Sequence, residues 1–273
     1  MTTEYLKVCE YAARKGGQVL REKLGSVWVR EKRRADLVTE ADFVSQETIR
    51  EIVQNVFPEH AFLGEESEPT AEPTQSSEYR WMVDPLDGTT NFVHGVPLFA
   101  SSVALVRGKD VLCGTIYNPM IEECFTAAAG HGAFLNGKRI HVSQVPRLAD
   151  ALATVSFPTM SRFDSPDLLA FMKLVPFAQA IRRTGSTAIN MAYLAAGRFD
   201  VMTSYGAYCW DVAAGAILIR EAGGILTAPD GSAFDIDSPK TLAAATEPLH
   251  RQVLEMINGE TETIHESTGT IIR

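Results

Sequence analysis

The stretch Trp81-Met82-Val83-Asp84-Pro85-Leu86-Asp87-Gly88-Thr89-Thr90-Asn91-Phe92 constrains this chain more than any other. Its apolar start, Trp81 to Val83, reads as the end of a buried strand. Pro85 lacks a backbone N–H and fixes its own φ, which predicts that the strand stops there. Gly88 permits a tight turn, and Thr89 and Thr90 then offer backbone N–H groups at the start of a helical turn. Such a corner sets two carboxylates, Asp84 and Asp87, on one side and N–H donors on the other. Carboxylates bind hard cations and N–H donors bind anions, so the combination suits a metal-bound phosphate. An ordinary solvated turn is the competing reading, because Asp-Gly is common in turns. The choice depends on whether further acids arrive from elsewhere.

Three other places supply candidates. Gly64-Glu65-Glu66-Ser67 follows a short apolar strand at 61–63. Neighbouring side chains in extended backbone point oppositely, so one glutamate can face a site while the other supports it. Thr39 is a plausible N-cap with Asp42 at the third helical position, and a capping box alone would account for both. Trp210-Asp211-Val212-Ala213-Ala214-Gly215 sets Asp211 at a helix N-terminus, where a plain cap is by itself the commoner explanation. Taken together, Glu65, Glu66, Asp84, Asp87 and Asp211 have no matched basic residues nearby and would repel one another in a dry cleft. Cations resolve that repulsion. Oxygen-only ligands, with no His or Cys beside them, select Mg²⁺ or Mn²⁺ over zinc. A pair of such ions suits in-line displacement at phosphorus.

Composition narrows the class. The 273 residues suit one large domain or two joined lobes, and 45% hydrophobic with 22% charged residues is ordinary for a globular enzyme. A net charge of -9 argues against a nucleic-acid surface. The four cysteines, Cys9, Cys113, Cys124 and Cys209, are scattered without metal spacing. No basic-then-apolar leader or membrane-length run is present, so a reducing, cytoplasmic setting is expected.

In order, Thr2 or Thr3 opens a helix to about Leu24, with Gly16-Gly17 allowing close approach. A second helix from Thr39 is expected to turn Phe43, Ile49, Ile52, Val53 and Val56 inward and to stop before Pro58. Residues 68–78, rich in Pro, Thr and Ser, predict an exposed loop. Strands at 99–106 and 111–117 flank Arg107-Gly108-Lys109-Asp110, and 121–127, 132–135 and 138–142 continue an antiparallel meander through Asn136-Gly137, a strong hairpin signal. Beyond residues 145–150 strands alternate with helices: strands at 151–156, 178–182, 199–202 and 225–227, helices at 166–174, from Ser186 or Thr187 to Leu194, at 211–222 and at 247–257. The expected plan is an α+β lobe over 1–145 joined to an α/β lobe over 146–273, with a loosely held tail from Asn258.

The motifs at 81–92 and 210–224, with 36–42, 64–66 and Gly185-Ser186-Thr187-Ala188-Ile189-Asn190-Met191, resemble the inositol monophosphatase family, within the group that includes fructose-1,6-bisphosphatases. The resemblance spans nearly the whole chain. It implies a layered α/β/α/β/α sandwich, a homodimer and inhibition by lithium. It implies Mg²⁺, in two or three ions, with Mn²⁺ possible: Glu65, Asp84 and the Leu86 carbonyl for the first, Asp84, Asp87 and Asp211 for the second, and a weaker third near Glu65. Thr89 with Asp42 would orient the attacking water, with Glu65 assisting, and Gly88 and Thr89 N–H groups would hold the phosphate. Asp87, Ser186, Thr187, Ser204 and Asp211 would complete the substrate side. Inositol-specific members usually carry Glu seven residues before the position of Asp211, and here that residue is Ser204. A hydroxyl binds a sugar hydroxyl less strongly than a carboxylate does. The family resemblance makes inositol monophosphate the leading substrate, and Ser204 motivates the alternatives. Fructose 1,6-bisphosphate, the 2′-phosphate of NADP, a 3′-phosphonucleotide and histidinol phosphate are the alternatives, and an inactive phosphate- or metal-binding regulator is the remote one.

Overall fold

The computed structural model describes residues 2–33, 36–67, 77–158 and 160–259. The loop expected at 68–78 lies mostly outside them, as does the tail after residue 259.

Helix α1 (Thr2–Lys23) leads into a hairpin of β1 (Val29–Arg33) and β2 (Asp36–Thr39), then α2 (Glu40–Val56) and β3 (Ala61–Gly64). Strand β4 (Tyr79–Asp87) reaches the corner, followed by the short α3 (Thr89–Val93) and the meander β5 (Ala100–Arg107), β6 (Asp110–Asn118), β7 (Glu123–Ala128), β8 (Gly132–Leu135) and β9 (Lys138–Ile140). Asn136 and Gly137 close the β8–β9 hairpin with φ of 49° and 76°, the left-handed pair that a two-residue turn demands. The second half runs β10 (Leu152–Ser156), α4 (Pro166–Leu174), β11 (Ala180–Arg182), α5 (Thr187–Ala195), β12 (Val201–Ser204), α6 (Cys209–Glu221), β13 (Ile225–Thr227), β14 (Thr241–Ala244) and α7 (Glu247–Asn258).

Strands β3 to β9 form one seven-stranded sheet in sequence order, antiparallel except for the parallel β3–β4 pair. The other sheet has the order β11-β10-β12-β14-β13 and is mixed. Helices α1 and α2 cover one face of the large sheet, through Cys9, Ala12, Ala13, Ile49 and Val53 packed on Trp81, Val83 and Leu105. Its other face carries α5 and α6, whose Ile189, Met191, Val212 and Leu218 share a core with Met82, Ile116 and Phe125 and also with Met202 and Ala243 of the small sheet. The small sheet's far face holds α4 and α7 through Ala170, Leu174, Leu249 and Val253. The five layers are therefore helix, sheet, helix, sheet, helix.

Several expectations need correction. Strand β4 runs through Pro85 rather than ending at it: Asp84 pairs with Ser102 and Asp87 with Ala100, and the register slips between them. A bulge there skips the position where proline has no N–H to give. Phe43 and Val56 point outward, 44% and 48% exposed, although Ile49 and Val53 on the same helix are buried. Helix α6 begins two residues earlier than expected, with Tyr208 at its N-cap and Asp211 at the third position. Strand β14 and the β1–β2 hairpin are additions. The close approach at Gly16 is present: a Cβ there would stand 2.6 Å from the Ile49 side chain on α2.

Candidate active site

The corner at the end of β4 gathers the acids. Glu65 follows β3, and its N–H donates to the Val83 carbonyl at 3.1 Å, which ties it to the parallel strand just before Asp84. The Asp84 side chain accepts the Leu86 N–H at 3.0 Å across the bulge. Gly88 takes φ 97°, and a Cβ there would press on the Leu98 carbonyl at 3.0 Å and the Gly185 carbonyl at 3.4 Å, so the turn closes tightly against the second lobe.

Asp87 joins the end of β4 to α5. Its carboxylate accepts the Ser186 hydroxyl, the Thr187 N–H at 3.1 Å and the Ala188 N–H at 2.8 Å. It therefore sits on the first turn of α5, while Ser186 also caps that helix through the Ile189 N–H at 3.1 Å. From the other middle-layer helix comes Asp211, whose carboxylate takes the Tyr208 N–H at 2.8 Å and is hydrogen-bonded to Asp84.

All three aspartates of the corner sit above the usual carboxylate range. Asp84 is pushed well above the usual carboxylate range, first by burial and then by the charges of Glu65, Asp87 and Asp211. Asp211 rises for the same reasons, burial first and then Asp87 and Glu65, with the Tyr208 N–H and Asp84 acting the other way. Burial lifts Asp87 to about 6, against the pull of Ser186 and the N–H groups of α5. None of the chief influences on these three acids is a cation. Among the described residues no group of three or more His, Cys, Asp or Glu side chains is placed to hold a metal ion. The donor chemistry nonetheless fits a hard divalent cation: Glu65 and Asp211 both act electrostatically on the buried Asp84, the donors are all oxygen, and charge of the opposite sign is absent from the chief influences on them.

Beside them lies a second arrangement. The capping box expected at Thr39 is present, with the Thr39 N–H and hydroxyl both donating to Asp42 Oδ2, at 2.8 and 2.7 Å. That holds Asp42 Oδ1 toward the Thr89 hydroxyl at 3.4 Å, and the same hydroxyl lies 3.2 Å from the Leu86 carbonyl. A hydroxyl donating to a buried carboxylate keeps a lone pair free to accept from water, which is how a nucleophile is oriented.

On the second lobe, Ser204 ends β12, 1% exposed, in register with Ser156 on β10 and Thr241 on β14. A polar chain that sequence reading missed joins this side to the corner. The Asn91 amide donates to Leu98 O at 2.6 Å and Thr184 O at 2.8 Å. Thr184 then donates to Asn190 Oδ1 at 2.7 Å, and Asn190 to the Ser156 hydroxyl at 2.9 Å. The two asparagines both lie in the quoted motifs and were the available signal. The structure thus brings Glu65, Asp84, Leu86, Asp87, Gly88, Thr89, Asp42 and Asp211 to one corner with Ser186 and Thr187, while Ser204 stands on the neighbouring sheet.

The profile of the inositol monophosphatase family matches residues 1–266. The chain is 37% identical to the fructose-1,6-bisphosphatase/inositol-1-monophosphatase of Aquifex aeolicus, covering 93% of this chain and 95% of that protein. It is 38% identical to the inositol-1-monophosphatase of Mesorhizobium japonicum, with 92% and 95% covered. The extragenic suppressor protein suhB of Bartonella henselae superposes with a TM-score of 0.88 at 35% identity, over 94% of this chain and 99% of that one. A match at this level across both lobes leaves no part of the sandwich unaccounted for, and this chain belongs to the inositol monophosphatase family.

Proposed function

We propose that this chain is a metal-dependent phosphomonoesterase that hydrolyses inositol monophosphate to inositol and phosphate. One observation carries the reading: the carboxyls of Asp84, Asp87 and Asp211, from β4 and α6, all sit above the ordinary carboxylate range beside a Thr89 hydroxyl that faces Asp42. The names of the Aquifex and Mesorhizobium relatives support the substrate.

In this reading Glu65, Asp84 and the Leu86 carbonyl would hold one Mg²⁺ and Asp84, Asp87 and Asp211 another, with a third near Glu65 and Mn²⁺ an acceptable substitute. The ions supply charge neutralisation at the phosphoryl oxygens and a lowered pKa for bound water. Thr89 accepts a hydrogen bond from the attacking water while donating to Asp42, and Glu65 assists in taking its proton. The backbone N–H groups of Gly88 and Thr89 hold a phosphate oxygen. Ser186 and the α5 N–H groups fix Asp87, and Thr187 and Ser204 border the alcohol. The division into lobes near residue 145, a homodimer, a cytoplasmic setting and lithium sensitivity belong to the same proposal.

A second reading keeps the chemistry and changes the alcohol, on the observation that position 204 itself, at the end of β12, carries a hydroxyl rather than a carboxylate. Phosphate release is to be measured with Mg²⁺ on inositol 1-phosphate, fructose 1,6-bisphosphate, NADP, a 3′-phosphonucleotide and histidinol phosphate. Inositol 1-phosphate ranking first supports the first reading, and another ester far ahead supports the second. No release from any of them would leave the phosphate- or metal-binding regulator.

A further inference from the structure

One side of α2 buries polar side chains where core packing would favour apolar ones. Asp42, Ser45 and Gln46 stand at i, i+3 and i+4, so they share a face of the helix. They are 1%, 0% and 4% exposed. Thr39 and Thr89 take up Asp42, but Ser45 and Gln46 reach elsewhere. A buried hydroxyl and a buried amide cost stability unless each meets a partner.

Both partners belong to the acidic segments. The Ser45 hydroxyl donates to the Pro85 carbonyl at 3.0 Å. That carbonyl lies between Asp84 and Leu86, inside the bulge where β4 and β5 slip register. Gln46 Oε1 accepts the Glu66 N–H at 2.9 Å, the amide directly after Glu65. Adjacent residues of one helix thus grip the ends of the parallel neighbours β3 and β4, one beside Glu65 and the other beside Asp84. Gly64 completes the arrangement. A Cβ there would stand 2.1 Å from Gln46 Oε1 and 2.5 Å from its Cδ. Gly64 is not among the glycines with positive φ. The glycine of the Gly64-Glu65-Glu66 motif is therefore called for by the approach of this amide, not by its backbone conformation.

We propose that Ser45 and Gln46 are positioning residues that set the gap between Glu65 and Asp84, and with it the affinity of the cation position those two carboxylates would share. The proposal rests on the metal-dependent reading of the site and adds to it two residues that ligate nothing themselves. The capping box needs neither side chain. Coordination distances hold to within about 0.2 Å, so a cation held by carboxylates from two strands is sensitive to small shifts of one strand end against the other. A helix bonded to both ends suppresses such shifts.

The experiment measures Mn²⁺ binding to the chelator-stripped protein, from the paramagnetic resonance of the free ion. It uses the wild type, Ser45→Ala, Gln46→Ala, Gln46→Glu, Gly64→Ala and the Gly64→Ala/Gln46→Ala double variant, with circular dichroism to show that each is folded. Ser45→Ala and Gln46→Ala are expected to weaken binding about tenfold, the lower end of the range for lost outer-shell partners of a metal. Gln46→Glu keeps an oxygen on the Glu66 N–H and should bind at least as tightly as the wild type. Gly64→Ala displaces the Gln46 amide and should weaken binding as Gln46→Ala does. The double variant should then lose little more, because the contact is already gone. Ser45→Ala, the smallest deletion, keeps the test decisive if Gln46→Ala fails to fold. Unchanged Mn²⁺ affinity in Ser45→Ala and Gln46→Ala, with only the melting temperature lowered, would overturn the proposal. Full additivity in the double variant, or no recovery in Gln46→Glu, would also overturn it. A wild type that binds no Mn²⁺ would overturn the metal-dependent reading as well, whereas equal binding by the wild type and every variant overturns this proposal alone.

Discussion

The Ser186 hydroxyl donates to the Asp87 carboxylate, joining the first turn of α5 to the end of β4 across 99 positions of sequence. The same hydroxyl accepts the Ile189 N–H. One side chain thus caps α5 and fixes an acid at the end of β4, so the orientation of Asp87 depends on how α5 packs against the large sheet.

Ser186→Ala is expected to weaken both roles. Losing the cap costs about 1 kcal/mol, a fall in thermal midpoint of roughly 2–4 °C for a chain of this size class. Freeing Asp87 is expected to lower kcat/KM about tenfold and to raise the Mg²⁺ concentration needed for half-maximal activity. Ser186→Thr keeps an N-cap hydroxyl and should restore much of both. A scanning-calorimetry trace together with a metal titration checks this.

Asp84→Asn tests the acid set. Turnover is expected to fall by more than about a hundredfold, since lesser changes around metal ligands already cost 10–100-fold. The metal-free fold should survive at least as well as in the wild type, because a buried carboxyl opposed by Glu65, Asp87 and Asp211 is lost. Circular dichroism melting in chelator and phosphate-release assays measure the two arms. Normal activity in this variant would remove Asp84 from the site.

Thr89→Val removes the hydroxyl and keeps the shape. Its kcat is expected to drop by roughly 10²–10⁴, the usual range for a lost proton-handling group, with KM moving little. Thr89→Ser retains the hydroxyl facing Asp42 and should recover activity. A change confined to KM would make Thr89 a binding group only.

Metal removal gives a signed pH prediction. Burial lifts the folded pKa of Asp87 to about 6, above the ordinary aspartate value of 3.8. Below 3.8 both folded and unfolded chains carry the proton. Between 3.8 and about 6 only the folded chain keeps it, so the unfolded state binds fewer protons and stability falls as pH rises through that window. Chelated wild type should therefore lose stability over this range relative to Asp87→Asn. Added Mg²⁺ should abolish the difference, because it stabilises the ionised form. Urea midpoints at a series of pH values measure it.

Gly114→Ala probes how the lobes meet. A Cβ at Gly114 on β6 would lie 2.6 Å from the Ala214 Cα on α6, a backbone atom that cannot swing aside. Overpacking of about 1–3 kcal/mol is expected, read as a lower urea midpoint.

Local signals were the legible ones. Asn136-Gly137 announced its turn because both residues tolerate positive φ. Thr39 and Asp42 announced the capping box because its two partners are three residues apart. Most of the candidate site was visible because its acids sit in short motifs. What escaped notice was set by partners distant in sequence. Pro85 does not end β4 because the opposing β5 lets the register slip around it. Thr241–Ala244 is short and alanine-rich, and it is a strand because Met202 and Leu226 lie on either side of Ala243. Phe43 matches an inward helical spacing but meets Trp28 instead. The Asn91–Thr184–Asn190–Ser156 chain links positions up to 93 residues apart within a single bond, beyond the reach of any local pattern.

The placement of α5 and α6 between the sheets has a consequence for synthesis. The large sheet is complete in the nascent chain by Ile140, while the helices that cover its inner face run from Thr187 to Glu221. For the time it takes a ribosome to add those residues, a broad apolar surface of Met82, Ile116 and Phe125 has nothing of its own chain to rest on. A polypeptide built in this order depends on holdase chaperones, or on rapid elongation, between its fourteenth and twenty-third decade of residues.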